Sequence, residues 1–478
     1  MKVPYIKLFR TPNQNYCFDV NTHEFLTITN ETYHYLNSQM TSENSDSLNL
    51  IEPHQVMELK KLGYLKNESV VEKIEHPYTR NIDVFLDRKI EKITLQLTQN
   101  CNLRCKYCVY SNSKTSRQRS HTRKKMSLET AKKSIDFLWN HSVDSRRVNV
   151  GFYGGEPLLE FEMMQKIVEY SKRQFIGKEL SFSITTNGTL LNDEIIHYFE
   201  DFDIPIIISL DGIKEVHNKN RIFSNGKGTY DAIITNIQRI KQIAPKLAKN
   251  MQVNMVINPE NDYDCFNLVC LEGKELDKLV ISASIVDYDY EDKLTTYSED
   301  YITKSEYQNF LALLERMNRV NAKNVSPLSI NSMSSIWDKC EKMQLITGLC
   351  KTDTPSGPCI PGQFRLFVDV TGRFFPCERV SEKSRAMCIG NLEDGFDKCS
   401  INKQLNIGKL TEDLCKNCWC FRHCGLCVKK ADDGTESLSA KRKLKFCDSV
   451  ITDVHNIMSH YLFFKETQLF YQSQTRKQ

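Results

Sequence analysis

Nothing in these 478 residues approaches the length of a membrane-spanning helix. Met1–Arg10 holds no apolar run long enough for a signal peptide, so the expectation is a cytoplasmic protein without a membrane partner. The net charge of +4 is too small for this length to suggest nucleic acid. No internal sequence repeat is visible. Charge is ordinary at 26%, and a hydrophobic content of 40% supplies real cores for about three domains.

What the chain does hold is cysteine, 18 residues of it. Without an export signal, a reducing compartment keeps such thiols free, and a dense pattern points to metal or catalysis rather than disulfides. Eleven lie from Cys340 to Cys427, with Cys447 soon after, as a local metal-rich module. Apart from these stands Cys101-Asn-Leu-Arg-Cys105-Lys-Tyr-Cys108, a C-x3-C-x2-C loop with no fourth cysteine close behind. Three thiolates can hold three irons of a cubic cluster and leave the fourth iron open for a reactant. Zinc favours paired C-x2-C spacings with four ligands, which this loop fits poorly.

Around that loop the chain reads as three units. Pro4–Arg10, Gln14–Val20 and Glu24–Ile28 read as strands. A helix capped by Asn30 follows, with Tyr33, Leu36 and Met40 facing inward. A second helix after Pro53 buries Val56, Leu59 and Leu62 and stops at Gly63. Residues 1–66 are thus expected to form a small winged-helix-like unit, with Thr41–Asn49 a polar loop and 67–89 a charged linker. Over 90–320 strands and helices alternate, the mark of a parallel α/β sheet in an open or partial barrel. The strands are Ile93–Thr98, Val148–Tyr153, Ser181–Thr186, Ile204–Leu210, Gln252–Ile257 and Val280–Val286. The cysteine-rich module occupies 321–465, and 466–478 is a polar tail. A basic cluster, Lys114, Arg117, Arg119, Arg123, Lys124 and Lys125, is either a solvated loop or a contact for an acidic partner segment.

Reactive groups in parallel β/α folds gather at the C-terminal ends of strands. The three-cysteine loop follows the first barrel strand, and Gly154-Gly155-Glu156-Pro157 ends the second. Thr185-Thr186-Asn187-Gly188 ends the third, and Ser209-Leu210-Asp211-Gly212 the fourth. One such turn would be weak evidence; four at one mouth are a site.

The cysteine loop, with aromatic Tyr107 before its last cysteine, resembles the signature of the radical S-adenosylmethionine (SAM) family, and the Gly-Gly-Glu-Pro motif matches as well. That resemblance implies a partial (β/α)6 TIM-like barrel. A [4Fe–4S] cluster on Cys101, Cys105 and Cys108 would chelate SAM and, on one-electron reduction, cleave it to a hydrogen-abstracting radical. Gly154 and Gly155 would let backbone approach the methionine moiety, and Glu156 would accept from the SAM amine. Ser209 and Arg221 would hold ribose or carboxylate, with Thr186 and Asn187 as further candidates; the alternative for Arg221 is a surface ion pair.

The distal cysteines, Cys359-x12-Gly372-x4-Cys377 and Cys415-x2-Cys418-x5-Cys424-x2-Cys427-x19-Cys447, resemble the SPASM extension of radical SAM peptide maturases. Carried over by position, Cys415, Cys418, Cys424 and Cys447 would bind one auxiliary [4Fe–4S] cluster, and Cys359, Cys377 and Cys427 the other. The common form has x3 rather than x2 between the residues matching Cys424 and Cys427. The fourth ligand of the second cluster would be Cys350, or Cys340, or that iron stays open. Cys388, Cys399 and Cys420 default to free thiols, and zinc in a Cys₄ site is the rival for the module.

Residues 1–66 resemble the peptide-recognition domain of such maturases, where a leader peptide adds a strand to a sheet edge; a structural or dimerising unit is the alternative. Together with Arg119, His121 and Met126 after the loop, the chain resembles the enzymes that crosslink cysteine-rich precursor peptides through thioethers. The resemblance implies hydrogen abstraction from an acceptor residue, bonding of a peptide sulfur, Glu378 as the base, and loss of an electron through the auxiliary clusters. A flavodoxin or ferredoxin would supply the first electron. Sulfatase-maturase-like formylglycine formation, carbon–carbon crosslinking, epimerisation and a non-enzymatic iron–sulfur or zinc scaffold remain open. Glu378 stands where the sulfatase maturases have aspartate.

Overall fold

The computed structural model describes residues 3–41, 51–108, 110, 121–272, 279–288, 290, 295–355 and 359–467. The expected loop Thr41–Asn49 lies outside them apart from its first residue, as do Lys114, Arg117, Arg119 and the tail beyond 467.

Three short antiparallel strands open the chain: β1 (Ile6–Arg10), β2 (Asn15–Asp19) and β3 (Glu24–Ile28). Alternation along them buries both faces. Ile6, Leu8, Cys17 and Ile28 pack on Leu36, Val56 and Leu65 of the neighbouring helical segment. Tyr5, Phe9, Tyr16 and Phe18 pack on Val454, Met458 and Leu462 of the C-terminal helix Cys447–Glu466. Tyr5 Oη adds hydrogen bonds to the carbonyls of Lys416 and Cys418, at 3.1 and 2.8 Å. The helix Asn30–Thr41 is capped by Thr29, whose Oγ1 accepts from the Thr32 amide at 3.1 Å, not by Asn30. Asn30 Oδ1 instead accepts from Asn15 Nδ2, bracing β2. Met40 and Leu62 are 37% and 73% exposed, so the inward stripe is shorter than the helical spacing suggests.

Residues 67–89 are more structured than the charged connector expected of them. They contain β4 (Lys73–Ile74) and the helix Ile82–Arg88, whose Ile82 and Leu86 join the main core. Six parallel strands follow: β5 (Lys92–Thr98), β6 (Arg147–Gly154), β7 (Glu179–Thr186), β8 (Ile206–Ser209), β9 (Gln252–Ile257) and β10 (Val280–Ile285). They pair in chain order, with helices between them, as an α/β partial barrel.

Two strands show how the barrel divides its residues. Ile93, Leu95 and Leu97 of β5 enter the large apolar core. The opposite face carries Thr94, Gln96 and Thr98, all buried and all polar. There Ser183 Oγ donates to Asn149 Oδ1 at 2.9 Å, and Lys92 Nζ reaches Ser183 Oγ at 3.3 Å. The inner face is a polar lining rather than a packed hydrocarbon core.

The cysteine-rich module extends the same sheet. β11 (Thr352–Asp353) pairs with β4, and β12 (Leu366–Val368) lies parallel beside β5. From there β13 (Arg373–Phe375), β14 (Gly390–Asn391) and β15 (Gly395–Phe396) continue antiparallel. Cys377 follows β13, which is separated from the first barrel strand by β12. No helix among the described residues is long and apolar enough to cross a membrane.

Candidate active site at the open end of the barrel

Two glycines seat the end of β6 beneath the cysteine loop. Gly154 has φ of +143°, and a Cβ there would stand 2.2 Å from the Thr98 carbonyl oxygen. A Cβ on Gly155 would stand 2.1 Å from the Asn100 carbonyl oxygen. Only glycine lets this backbone approach so closely, and the Gly155 and Glu156 amides then donate to Thr98 O and Asn100 O at 2.8 and 2.9 Å. What crowds these glycines is the loop itself, so their first task is to fix Cys101.

Glu156 is 1% exposed and holds three strand ends together. Oε1 accepts from the Leu158 amide at 3.0 Å and Thr186 Oγ1 at 2.8 Å, and Oε2 accepts from the Asn187 amide at 2.8 Å. Burial outweighs these donors and pushes its pKa up to about 7. A carboxylate has about four acceptor positions, so roughly one stays open, and an incoming ammonium there would favour the anion. Asn187 Nδ2 donates to Asn102 Oδ1 at 2.9 Å and reaches Cys101 Sγ at 3.9 Å. Thr186 and Asn187 thus brace Glu156 and the loop.

Arg221 is neither a surface ion pair nor a free ligand. It is 7% exposed, and its Nε donates to Asp211 Oδ2 at 2.8 Å. Tyr107 Oη donates to the same oxygen, and the guanidinium lies 5.5 Å from the Tyr107 ring centre. Asp211 Oδ1 accepts from the Val256 amide at 2.9 Å, while the Asp211 amide donates to His217 Nδ1 at 3.1 Å. This knot ties the cysteine loop to the ends of β8 and β9. The Ser-Leu-Asp-Gly motif assigns Asp211 no role by itself; an aspartate at a strand end is the signal it offers. Ser209, 8% exposed, keeps its hydroxyl free of hydrogen bonds among the described residues.

The three thiols lie within electrostatic reach of one another. Burial pushes Cys101 and Cys105 up to about 12, so as free thiols they stay protonated; Arg221 pulls Cys105 the other way. Cys101 Sγ accepts from the Leu103 amide at 3.3 Å, a donor suited to a thiolate.

Residues 95–268 match the family model described as the Radical SAM superfamily. The chain carries a radical SAM domain. It is similar to the cysteine-type anaerobic sulfatase-maturating enzyme of Clostridium novyi, with 35% identity over 148 residues covering 30% of this chain and 37% of that one. With the Clostridium perfringens enzyme of the same name the identity is 25% over 365 residues, covering 74% of this chain and 92% of that one. Several curated relatives are matched over less than half their length. A solved structure described as native anSMEcpe with bound AdoMet superposes with a TM-score of 0.55 at 21% identity, covering 80% of this chain and 98% of that one, which shows the shared fold.

A radical SAM domain works with SAM and a [4Fe–4S] cluster. The donor set at the mouth fits them: three thiols on one loop, a carboxylate with an open acceptor position, and an unengaged hydroxyl.

The C-terminal cysteines form two neighbourhoods. Cys424 and Cys447 each feel Cys415, Cys418 and Lys443. Cys377 and Cys359 feel each other's surroundings through Cys427. Cys350 is not brought to the second group: it is exposed, with its amide on Asp353 Oδ2 at 3.0 Å. Cys340 is a core residue, packed with Trp337 and Phe464 and 3.6 Å from the Ile457 carbonyl. Cys420, left without a role by its spacing, lies with its sulfur 3.4 Å from that of Cys418. Cys388 sits near the Gly390 carbonyl at 3.5 Å, and Cys399 is exposed. Among the described residues no three His, Cys, Asp or Glu side chains close on a single ion.

Glu378, beside Cys377, pairs with Arg365 Nη1 at 2.9 Å and acts on Lys92 of the polar face, whose pKa burial lowers. Four residues on, buried Glu382 accepts from Gln96 Nε2 at 2.7 Å and from Gln99 Nε2 at 3.3 Å. Gln96 Nε2 also reaches Tyr110 Oη at 2.8 Å. Glu382 was not anticipated, because nothing in its local sequence marks it as facing β5.

Proposed function

We propose that this protein is a radical SAM maturase of ribosomally made, cysteine-rich precursor peptides, joining a cysteine sulfur to a carbon of an acceptor residue. One observation carries the reading. The segment after Cys377 lies across the polar face of β5, with Glu382 on Gln96 and Gln99 and Glu378 acting on Lys92. On this reading the Cys101–Cys108 loop and the Cys359, Cys377, Cys427 group face one polar lumen suited to a peptide.

Cys101, Cys105 and Cys108 would hold the SAM-binding cluster. Cys415, Cys418, Cys424 and Cys447 would hold one auxiliary cluster, and Cys359, Cys377 and Cys427 another. When bound, SAM and these clusters supply a hydrogen-abstracting radical and an electron acceptor, recharged by a donor such as flavodoxin or ferredoxin. Glu156 and Ser209 bind the SAM amine and ribose, and the Asp211–Arg221–Tyr107 knot holds the loop in place. Glu378 takes the thiol proton. The balance is one C–H and one S–H bond lost and one S–C bond made, so the peptide loses two hydrogens per crosslink.

The leader would pair with β3. Its outer edge carries the Thr27 carbonyl and Thr29 amide, which among the described residues are held by the side-chain amide of half-buried Gln55 at 3.3 and 2.9 Å. The β1 side is taken up at its start by Lys66 and by the C-terminal module.

Formylglycine formation is the second reading, favoured by the match to nearly the whole of a sulfatase-maturating enzyme. Anaerobically reconstituted protein is incubated with SAM, reductant and a cysteine-rich precursor peptide, and the product weighed before and after thiol alkylation. The proposal expects loss of two hydrogens and one alkylatable thiol per bond. Loss of two hydrogens with an unchanged thiol count means a carbon–carbon link. Conversion of a sulfatase-type peptide cysteine to an aldehyde means the second reading, and absence of 5′-deoxyadenosine overturns both.

A further inference from the structure

Lys443 is 3% exposed, and among the described residues no carboxylate lies within ion-pair distance of it. Its ammonium donates to Cys415 Sγ at 3.1 Å and to Thr411 Oγ1. Thr411 Oγ1 itself lies 3.2 Å from the same sulfur. Cys418, Cys424 and Cys447 all lie within electrostatic reach of this ammonium.

A buried ammonium needs an anion, because neutral partners do not replace its hydration. Thiols in their neutral form and a hydroxyl would offer none. Four thiolates on an iron–sulfur cluster do, since such a centre carries net negative charge that reduction increases. A donor to a cluster sulfur, or a nearby positive charge, stabilises the reduced form and raises the potential.

We propose that Lys443 is a positioning residue for the auxiliary cluster of Cys415, Cys418, Cys424 and Cys447, its charge stabilising that cluster's reduced form. This rests on the reading that those four cysteines hold a cluster. The lysine takes no part in chemistry on the peptide. In the Cys359, Cys377 and Cys427 group, the cation acting on Cys359 is Arg365, which is itself engaged with Glu378.

The test uses the anaerobically reconstituted full chain as wild type, Lys443→Met and Lys443→Arg. Iron and sulfide are counted, and each cluster is titrated by EPR at controlled potential. The wild type is expected to hold about twelve irons, four per cluster; only about four would overturn the cluster reading itself and this inference with it. Lys443→Met should load like wild type while one midpoint moves to more negative potential. A tenfold change in the reduced-to-oxidised ratio corresponds to a shift of about 59 mV for one electron. Lys443→Arg should keep the wild-type midpoint to within a small part of that. If Lys443→Met instead loses about four irons and Lys443→Arg keeps them, the charge is needed for the cluster to form, which also supports the proposal. Loss of iron in both variants, or full loading of Lys443→Met with every midpoint unmoved, contradicts it.

Discussion

His217 illustrates how much the site depends on uncharged burial. It is fully buried, its Nδ1 accepting from the Asp211 amide and its Nε2 2.9 Å from Thr229 Oγ1. Burial, with Arg221 nearby, lowers its pKa from 6.5 to about 4. The unfolded chain therefore binds a proton that the folded chain refuses between those values, and stability falls as pH drops through the window. The contribution is about 3 kcal/mol across the full shift. Chemical unfolding measured from pH 7 to pH 4 should show His217→Gln losing less stability across the window than the wild type does. Buried His23, lowered to about 4, and His423, lowered to about 3, add to the common slope, while Glu156, raised to about 7, opposes it. An unchanged slope in the variant would remove His217 from this account. At this scale spacing alone singled out Cys101, Cys105, Cys108 and Glu156, which the structure brings to one mouth. Glu382 and Lys443 escaped because their partners are remote in the chain, 286 residues off for Gln96 and 28 for Cys415.

Among the elements, the strand bounds expected for the barrel lie within a residue or two of those observed, and Gln252–Ile257 matches its strand at both ends. Local pattern was sufficient there because each strand buries its own apolar row. It failed where burial comes from another module. Residues 67–89 looked like a charged connector because Ile82 and Leu86 have too few apolar neighbours in sequence; the barrel core supplies them. Both faces of the N-terminal sheet are covered, so its binding capacity lies at an edge rather than a face. That makes the β3 edge testable. Thr27 directs its carbonyl, and with it its amide, away from β2, so proline there removes an outward donor and keeps the ladder. Thr27→Pro is expected to weaken binding of the full precursor peptide at least tenfold by fluorescence anisotropy, with folding unchanged by circular dichroism. Wild-type affinity would place the leader elsewhere.

Across the whole molecule one continuous sheet joins parts that the sequence divides. β12 lies beside β5, so the cysteine-rich module is built onto the barrel and not tethered to it. The N-terminal sheet packs in turn on the C-terminal helix and the Cys418 carbonyl. No local pattern could reveal this, since the β5–β12 pairing spans some 270 residues of chain. The arrangement places the three-cysteine loop, the C-terminal cysteine groups and the open β3 edge on one body. The central claim is that the radical taken from SAM reacts with a carbon of a bound peptide. The direct measurement is isotopic: the reconstituted enzyme is given SAM, reductant and a precursor peptide deuterated at its non-exchangeable C–H positions, and the 5′-deoxyadenosine is weighed. Deuterium in the recovered 5′-deoxyadenosine is the predicted result; 5′-deoxyadenosine formed without deuterium while the peptide stays unchanged would contradict the account.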